Sequence, residues 1–584
     1  MAEFSPIHRT IADRAVETPD PPAITDEWTS LTYRQLMDHV DDLAAALVRQ
    51  GLRPGEVVAV HLQRGCALVV ALLAVSRAGG ASLMLDVDGP KQWLTRFVDV
   101  AGPVAWITHE DRTDPPFEGS RYRLDVAGRR VGTDDARPEV DFPDVGPEDL
   151  ACLVQTSGST GEPKLVLVPH RTWWYASATQ QSSHAITREE RGAWLFPSHT
   201  NVSVSVVIWP FLAAGAHLCV PDPTLLSSPE ELAAWIRDQR ITQFFAVAPL
   251  AEALAKLDWP PSPLQLMLTG SDRVREWGRP DLPFEIGNWY GTNEVNIVAS
   301  SVIPWDGRIT SATASEIDRS GPPPIGRIWP GVSWRVVDAD DQPAAAGDVG
   351  ELLVGGGQLA IGYHSARKTA EKFLPDEQAT TPGARIYRTG DLVRVRADGV
   401  IEHCGRIDEQ VKINGMRVEM AEVERALLAC PGIKEAAAAA VETPSGRAQL
   451  VGYLVTTESV TDAELRRTLA EALPGHMVPT AFVRMERLPR NRGDKIDRRS
   501  LPHPAAVARS GDDRLTAAVT SVLARVMKVE SYLPADNFFL LGGDSLLATR
   551  AARELSRELG RPVSAREILL HPTASDLSDF LRGG

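Results

Sequence analysis

Between about residues 30 and 400, short runs rich in Val, Leu and Ile alternate with stretches whose apolar positions recur every three or four residues. Val57 to Leu62, Val104 to Thr108 and Ala151 to Val154 have the length and continuity of strands buried on both faces, and Leu36 to Arg49 keeps the helical period. That alternation predicts a layered α/β body. The opening segment, through Asp20, reads as an amphipathic helix. Near 390 to 410 the texture changes to short charged strands, Leu392 to Arg396 and Val400 to His403, followed by helical stretches at Ala421 to Ala429 and Asp462 to Leu473. A smaller α+β unit is expected from Asp408. Residues 501 to 513 are rich in Pro, Ala and charge and read as a connector. Beyond them, Leu515 to Met527, Leu546 to Leu559 and Ala574 to Leu581 are periodic, so the chain is expected to end in a small all-α four-helix bundle. The division expected is 1–407, 408–503, a linker at 504–513, and 514–584.

A chain of 584 residues, 43% hydrophobic and 24% charged, exceeds one core and has an ordinary globular composition. Its formal charge of −16 argues against a nucleic-acid partner, which needs a clustered positive face. The five cysteines (Cys66, Cys152, Cys219, Cys404, Cys430) are widely spaced, with no CxxC pair, so neither a disulfide framework nor a zinc site is expected, and the cytoplasm fits. The most apolar window, Ala67 to Val75, is followed by Arg77 and two glycines before membrane-spanning length, and no signal peptide is read.

The strongest local chemistry is the string Thr156-Ser157-Gly158-Ser159-Thr160-Gly161-Glu162-Pro163-Lys164, directly after an apolar strand. Hydroxyls and glycine N–H groups can wrap phosphate oxygens while Lys164 adds positive charge; the Walker A spacing is absent. Four further strings follow in order: Tyr290-Gly291-Thr292-Asn293-Glu294, Tyr387-Arg388-Thr389-Gly390-Asp391, Gly405-Arg406-Ile407-Asp408 and Lys495-Ile496-Asp497-Arg498. Together, from Leu31-Thr32-Tyr33 to Arg498, they resemble the core motifs of the adenylate-forming superfamily, most closely the amino-acid adenylation domains of nonribosomal peptide synthetases.

The resemblance implies a large body and a small mobile lid hinged at Asp408, with the segment around Gly415 lining a pantetheine path. It implies that the 156–164 loop holds ATP phosphates, with Tyr290, Gly291 and Thr292 beside the nucleotide. Asp391 would accept from the ribose hydroxyls, Arg406 would support the nucleotide, Glu294 would help hold Mg2+, and Lys495 would serve catalysis at the substrate carboxylate and α-phosphate. In the C-terminal bundle, Asp536-Asn537-Phe538-Phe539-Leu540-Leu541-Gly542-Gly543-Asp544-Ser545-Leu546 resembles the attachment site of a peptidyl carrier protein, with Ser545 bearing 4′-phosphopantetheine. Without the family string, Ser545 would read as a helix N-cap.

One segment departs from that family. Amino-acid-selecting relatives keep an Asp that pairs with the substrate ammonium; counting back from Gly215 puts Val202 there, between Asn201 and Ser203. A buried ammonium without an anion costs several kcal/mol, so either another group holds the amine or the acid lacks one. The same count places Val206, Ala246, Met267, Thr269, Trp289, Ile297 and Val298 on the pocket wall, with Trp289 making it shallow. Asn293 stands where Thr is usual, and Arg492-Gly493-Asp494 precedes Lys495 where Asn-Gly is usual.

The expected activity is ATP-dependent adenylation of a small carboxylic acid, amino acid or amino-acid-like, and its transfer to the chain's own arm. A free-standing loading didomain of a secondary-metabolite or antibiotic pathway is expected to pass the acyl group in trans to a downstream acceptor or tailoring enzyme. A phosphopantetheinyl transferase and a small MbtH-like protein are the other expected partners. Alternatives are a keto, hydroxy or aryl acid as substrate, an acyl-CoA ligase releasing soluble thioester, and a non-catalytic carrier scaffold.

Overall fold

The structure, a computed structural model, describes residues 3–111, 120–131, 140–156, 163–279, 281–301, 321–407, 410–413, 416–442, 448–458, 460–490, 496–504, 514–527, 529, 532, 534, 536–539, 541, 543 and 545–583. Among these residues two large mixed sheets dominate the N-terminal body. One has seven strands, with Val57–His61, Ala81–Met84 and Leu150–Thr156 at its centre, and the other has nine, including Gln243–Val247, Leu266–Gly270 and Glu285–Thr292. A third sheet of five strands carries Val349–Gly356, Arg385–Val395 and Ile401–Arg406.

The helix Cys66–Arg77 explains the most apolar window in the chain. Every residue from Cys66 to Ser76 is buried, and one continuous cluster joins it to Tyr33–Arg49, to His170–Ser183 and to strands of both large sheets. A helix apolar on all sides is stable only when covered on all sides. Among the described residues no helix is long and apolar enough to cross a membrane.

The second unit holds the hairpin Val411–Ile413/Met416–Val418 and a three-stranded sheet, flanked by the helices Met420–Leu428 and Asp462–Ala472. Thr461 and Glu464 close a reciprocal cap on the latter helix. This unit packs on the body through an apolar cluster containing Phe97, Leu83, Val418 and Val423, pinned by an Arg96–Glu422 ion pair at 2.8 Å. The third unit is helical, with Arg514–Met527, Ser545–Leu559, Ala565–Leu570 and Ala574–Gly583 around a core of Val522, Phe538, Leu555 and Leu577. It touches both other units. Gln449 Nε2 donates to the Gly543 carbonyl and Asn537 Nδ2 to the Thr480 carbonyl, each at 2.8 Å, and Arg553 meets Glu231 of the body at 2.5 Å.

Candidate active site

The strands Leu150–Thr156 and Lys164–Pro169 are antiparallel, with Thr156 opposite Lys164 and its hydroxyl donating to the Lys164 carbonyl at 3.2 Å. The hydroxyl-and-glycine string therefore falls between two paired strands. Ser157, Gly158, Ser159, Thr160 and Gly161 lie outside the described residues, whereas its two ends are fixed. Lys164 points at Glu294 (Nζ to Oε1, 3.3 Å) and stacks over the Tyr363 ring at 4.1 Å.

Glu294 sits in the turn joining Glu285–Thr292 to Asn296–Ser300 and is fully buried. Gly291 makes that hairpin possible, since a Cβ there would collide with the Asn296 carbonyl. Glu294 Oε1 accepts from Lys164, from the Tyr363 hydroxyl at 2.8 Å and from Arg417 at 3.3 Å, while Oε2 has no hydrogen-bond partner among the described residues. Burial alone would raise the carboxyl's pKa, but Lys164 and Arg417 outweigh it and hold Glu294 well below the usual carboxylate range. Burial and Arg417 push Lys164 down to about 8.

A second charged cluster surrounds Asp391, which is buried and lies opposite Arg406 across paired strands. Its Oδ1 accepts from Arg406 at 2.7 Å and faces His403 Nε2 at 3.2 Å; its Oδ2 accepts from the Tyr290 hydroxyl at 2.5 Å. Burial opposes ionisation here too, and His403 and Arg406 reverse it, keeping Asp391 below the usual range. Lys412 and Arg417 face each other across the two-stranded hairpin of the second unit. Both border the cavity beside Asp391 and Arg406.

Asp391, Arg406, Lys412 and Arg417 border a cavity of about 190 Å³, together with a second carboxylate, Asp86; the Lys164–Glu294 pair joins them through Arg417. Among the described residues three cations on the wall stand against two carboxylates, a balance that favours an anionic occupant. ATP and Mg2+ fit that chemistry. Glu294 Oε2 is a buried hard oxygen with no partner among the described residues, and Mg2+ is commonly held by one or two carboxylates together with substrate phosphates. Among the described residues no group of three His, Cys, Asp or Glu side chains forms a metal cage, so Glu294 would share the ion with phosphate oxygens.

The acid end of the cavity differs from the count along the chain. Val202, Val206, Trp289 and Ile297 border it. Ser203–Ile208 is a π-helical segment, whose wide turn puts Val202 and Val206 on one face. Ser203 turns inward to the Pro197 carbonyl and accepts from Trp194 Nε1 at 3.2 Å, and Asn201 Oδ1 accepts from Trp173 Nε1 at 3.3 Å. Ala246 and Met267 belong to a cluster on the opposite face of their sheet; Thr269 is Ala246's strand partner, and Val298 is buried in the main core. Strand alternation brings Phe245 to the cavity in place of Ala246.

Some site residues escaped the motif reading: Phe245, Tyr363, Lys412, Arg417, Asp86, His199 and His476. The alternation Val411-Lys412-Ile413 and Met416-Arg417-Val418 was the available signal for the two cations; nothing local marked Tyr363. Asp408, Gly415 and Lys495 lie outside the described residues. Lys495 is flanked by Arg490, which pairs with Glu435 at 3.0 Å, and by Ile496, which packs in the apolar cluster of the three-stranded sheet.

A second cavity, of about 680 Å³, opens among all three units. Its wall runs from Gly543, Ala548 and Thr549 of the helical unit to Asp86, His199 and His476, which also border the first cavity. Ser545 begins the helix Ser545–Leu559, two residues from Gly543. The residues present fit 4′-phosphopantetheine, because a roomy cavity reaches the start of that helix and shares Asp86, His199 and His476 with the cavity of the charged site. When bound, the group supplies a thiol.

Against known proteins, the family profile described as AMP-binding enzyme matches residues 11–364, its C-terminal domain matches 422–495, and the phosphopantetheine attachment site matches 515–581. The chain belongs to the AMP-binding enzyme family. It is thus of the AMP-forming ligase class, with ATP, Mg2+ and 4′-phosphopantetheine as its cofactors, in an adenylation unit fused to a carrier unit. A linear gramicidin synthase component from Brevibacillus parabrevis is 34% identical over 98% of this chain, which spans 11% of that relative's length. Phosphinothricin tripeptide synthetase PhsC of Streptomyces viridochromogenes is 33% identical over 98% of this chain and 52% of its own. Holo-PA1221, an NRPS protein containing adenylation and PCP domains, superposes with a TM-score of 0.77 at 23% identity, covering 99% of this chain and 96% of that one. NpsA-ThdA, an artificially fused adenylation-PCP didomain from Klebsiella oxytoca, gives 0.70 at 21%, with 100% and 99% covered. At those identities the two structures show the fold.

Proposed function

We propose that this chain converts a small carboxylic acid and ATP into an acyl-adenylate and pyrophosphate, and that the thiol of a 4′-phosphopantetheine arm carried on Ser545 then takes the acyl group as a thioester, releasing AMP. The observation that carries this reading is that Asp86, His199 and His476 border both cavities, one lined by the charged groups and the other reaching the start of the Ser545 helix. Splitting acyl transfer in this way replaces a poor leaving group with a good one.

In this reading Lys164, Arg417, Lys412 and Arg406 neutralise phosphate oxygens, Glu294 shares Mg2+ with them, and the Asp391 cluster orients the ribose. Oδ2 of Asp391, with the Tyr290 hydroxyl as its printed partner, keeps a second lone pair for a ribose hydroxyl. Lys495 acts at the substrate carboxylate in a different lid orientation, reached by turning about Asp408. Its support is that the flanks of Lys495 are held on the lid's own sheet, while the Lys412/Arg417 hairpin occupies the cavity. The proposed division is a body to 407, a lid at 408–503, a linker at 504–513 and a carrier at 514–584.

A free-standing loading role, with the acyl group handed to a separate acceptor, is a further part of this proposal. A phosphopantetheinyl transferase is the partner that primes Ser545, and an MbtH-like protein is a further proposed partner.

Two assays test the whole. Acid-dependent ATP–pyrophosphate exchange should appear with at least one small acid and fall about 10²–10³-fold in Lys495→Ala. Intact-protein mass should show a pantetheine adduct that then gains the acyl mass, both lost in Ser545→Ala. Exchange without any adduct would leave an acyl-CoA ligase standing; an adduct without exchange would leave a scaffold.

A further inference from the structure

Among the described residues, Asp86, His199, Met416 and His476 border both cavities. In the reading above the acyl-adenylate fills the first cavity and the thiol arrives in the second, so a group that serves the transfer has to stand where the two walls coincide. Three of these four side chains titrate. Asp86 follows the C-terminal end of Ala81–Met84, which runs parallel to its neighbours in the seven-stranded sheet. His199 follows Arg191–Trp194, which does the same in the nine-stranded sheet. Ligands of open α/β sheets gather beyond the C-terminal ends of such strands. His476 comes from the second unit, in the short turn Gly475–Met477.

The two histidines are unequal. Burial, with His199 adding repulsion, pushes His476 down to about 4, so it is neutral at pH 7. His199 instead has a carboxylate at its side, with Asp86 Oδ1 3.6 Å from Nδ1, and both side chains keep some solvent contact, 24% and 16% exposed. A proton taken by the His199 ring is therefore met by a negative charge. With Nδ1 facing Asp86, Nε2 is the nitrogen left to take it. Other charged groups border one cavity each: Asp391, Arg406, Lys412 and Arg417 the first, and a set that includes Arg64 and Asp88 the second.

We propose that His199 is the base of the transfer step, taking the proton of the arm's thiol at Nε2, with Asp86 as the positioning residue that faces the ring and offsets the charge it gains. This rests on the adenylation and loading reading above and assigns a residue to its second step. A thiol is mostly protonated at pH 7, and the thiolate is the nucleophile. As His199 takes the proton, the sulfur's electron pair forms the new bond to the acyl carbon, the bond from that carbon to the phosphate oxygen breaks, and AMP leaves with its electron pair. The imidazolium then gives the proton to solvent.

The test uses full-length holo-protein, ATP and the acid that gives the strongest exchange, from pH 6.5 to 9. ATP–pyrophosphate exchange reads the first step, and single-turnover gain of acyl mass reads the second. In His199→Gln, loading at pH 7 should fall about 100-fold further than exchange does. That extra deficit should shrink to about tenfold or less at pH 9, where solvent has already ionised much of a thiol of pKa about 8.5. Asp86→Asn should give the same pattern at about tenfold. His476→Gln should keep the parent's profile shape. A readout without turnover is alkylation of the arm's thiol by iodoacetamide in the absence of ATP, which should slow about fivefold or more at pH 7 in His199→Gln, the imidazole no longer favouring thiolate. An extra deficit equal at every pH, or alkylation unmoved in His199→Gln, overturns the inference while exchange stands. A changed profile in His476→Gln beside a parental one in His199→Gln overturns it in favour of His476. Absence of exchange with every acid tried brings down the adenylation reading itself.

Discussion

The two ends of the cavity solve burial in opposite ways. At the nucleotide end, Glu294 and Asp391 are fully enclosed, yet each is kept ionised by cations and hydrogen bonds from separate elements. At the other end, the wall is apolar and aromatic, formed by Val202, Val206, Phe245, Trp289 and Ile297. The lesson is that charge in a protein interior has to be matched by the protein itself, because stranding it costs several kcal/mol. Aliphatic side chains bring no group that needs such a partner. One end is therefore built around a constant partner, and the other is open to choice.

Removing the matched charge should break the comparison most. Glu294→Ala leaves Lys164 and Arg417 facing each other without their shared carboxylate. It should cost about 3–5 kcal/mol in the body's unfolding free energy, read by calorimetry, together with about 10²–10³-fold in exchange. If Glu294→Ala melts with the parent protein, the cluster is not held together as described.

Importing charge to the other end sharpens the contrast. Val202→Asp places a carboxylate on the acid wall, and the ratio of amino to oxo acid in exchange should rise about tenfold to 100-fold. No movement in that ratio would mean that Val202 does not face the α-substituent.

A smaller effect follows from pH. Lys164, pushed down to about 8, is protonated at pH 7 and mostly neutral at pH 9. The charge it offers to phosphate is present below its pKa and lost above it, so the KM for ATP should rise several-fold between pH 7 and 9. Lys164→Met should flatten that rise. A profile equally steep in the variant would assign it to another group.

The smallest effect lies outside both ends. Glu231 and Arg553, each partly open to solvent and 2.5 Å apart, link the body to the carrier unit. Exposed pairs contribute about 0–1 kcal/mol, so Glu231→Gln should slow acyl loading less than about fivefold, with the difference vanishing in high salt. A larger, salt-resistant defect would mean that this contact carries more of the docking than its exposure allows.

How far these features were readable differs by region. The order of elements followed from periodicity, and the charged end was legible where consecutive residues share one turn. The Thr156–Lys164 hairpin, the Gly291–Glu294 turn and the Gly390-Asp391 strand each carry their chemistry in a local string. The acid wall was not legible to the same degree. Counting placed Ala246 and Met267 where strand alternation puts Phe245, and placed Ser203 on a wall that the π-helical turn gives to Val202 and Val206.

By itself, then, the amino-acid order determined the three-part architecture, the hydroxyl-and-glycine string, the pair of carboxylates and the carrier serine's surroundings, because each is set by backbone geometry over a few residues or by a period of two or 3.6. Only the tertiary structure decided that Arg417 of the second unit completes the Glu294 cluster. The same holds for Tyr363 supporting that cluster and for Asp86, His199 and His476 bordering both cavities. Those are contacts between segments tens to hundreds of residues apart, and no local pattern encodes which face of one packed element meets which face of another.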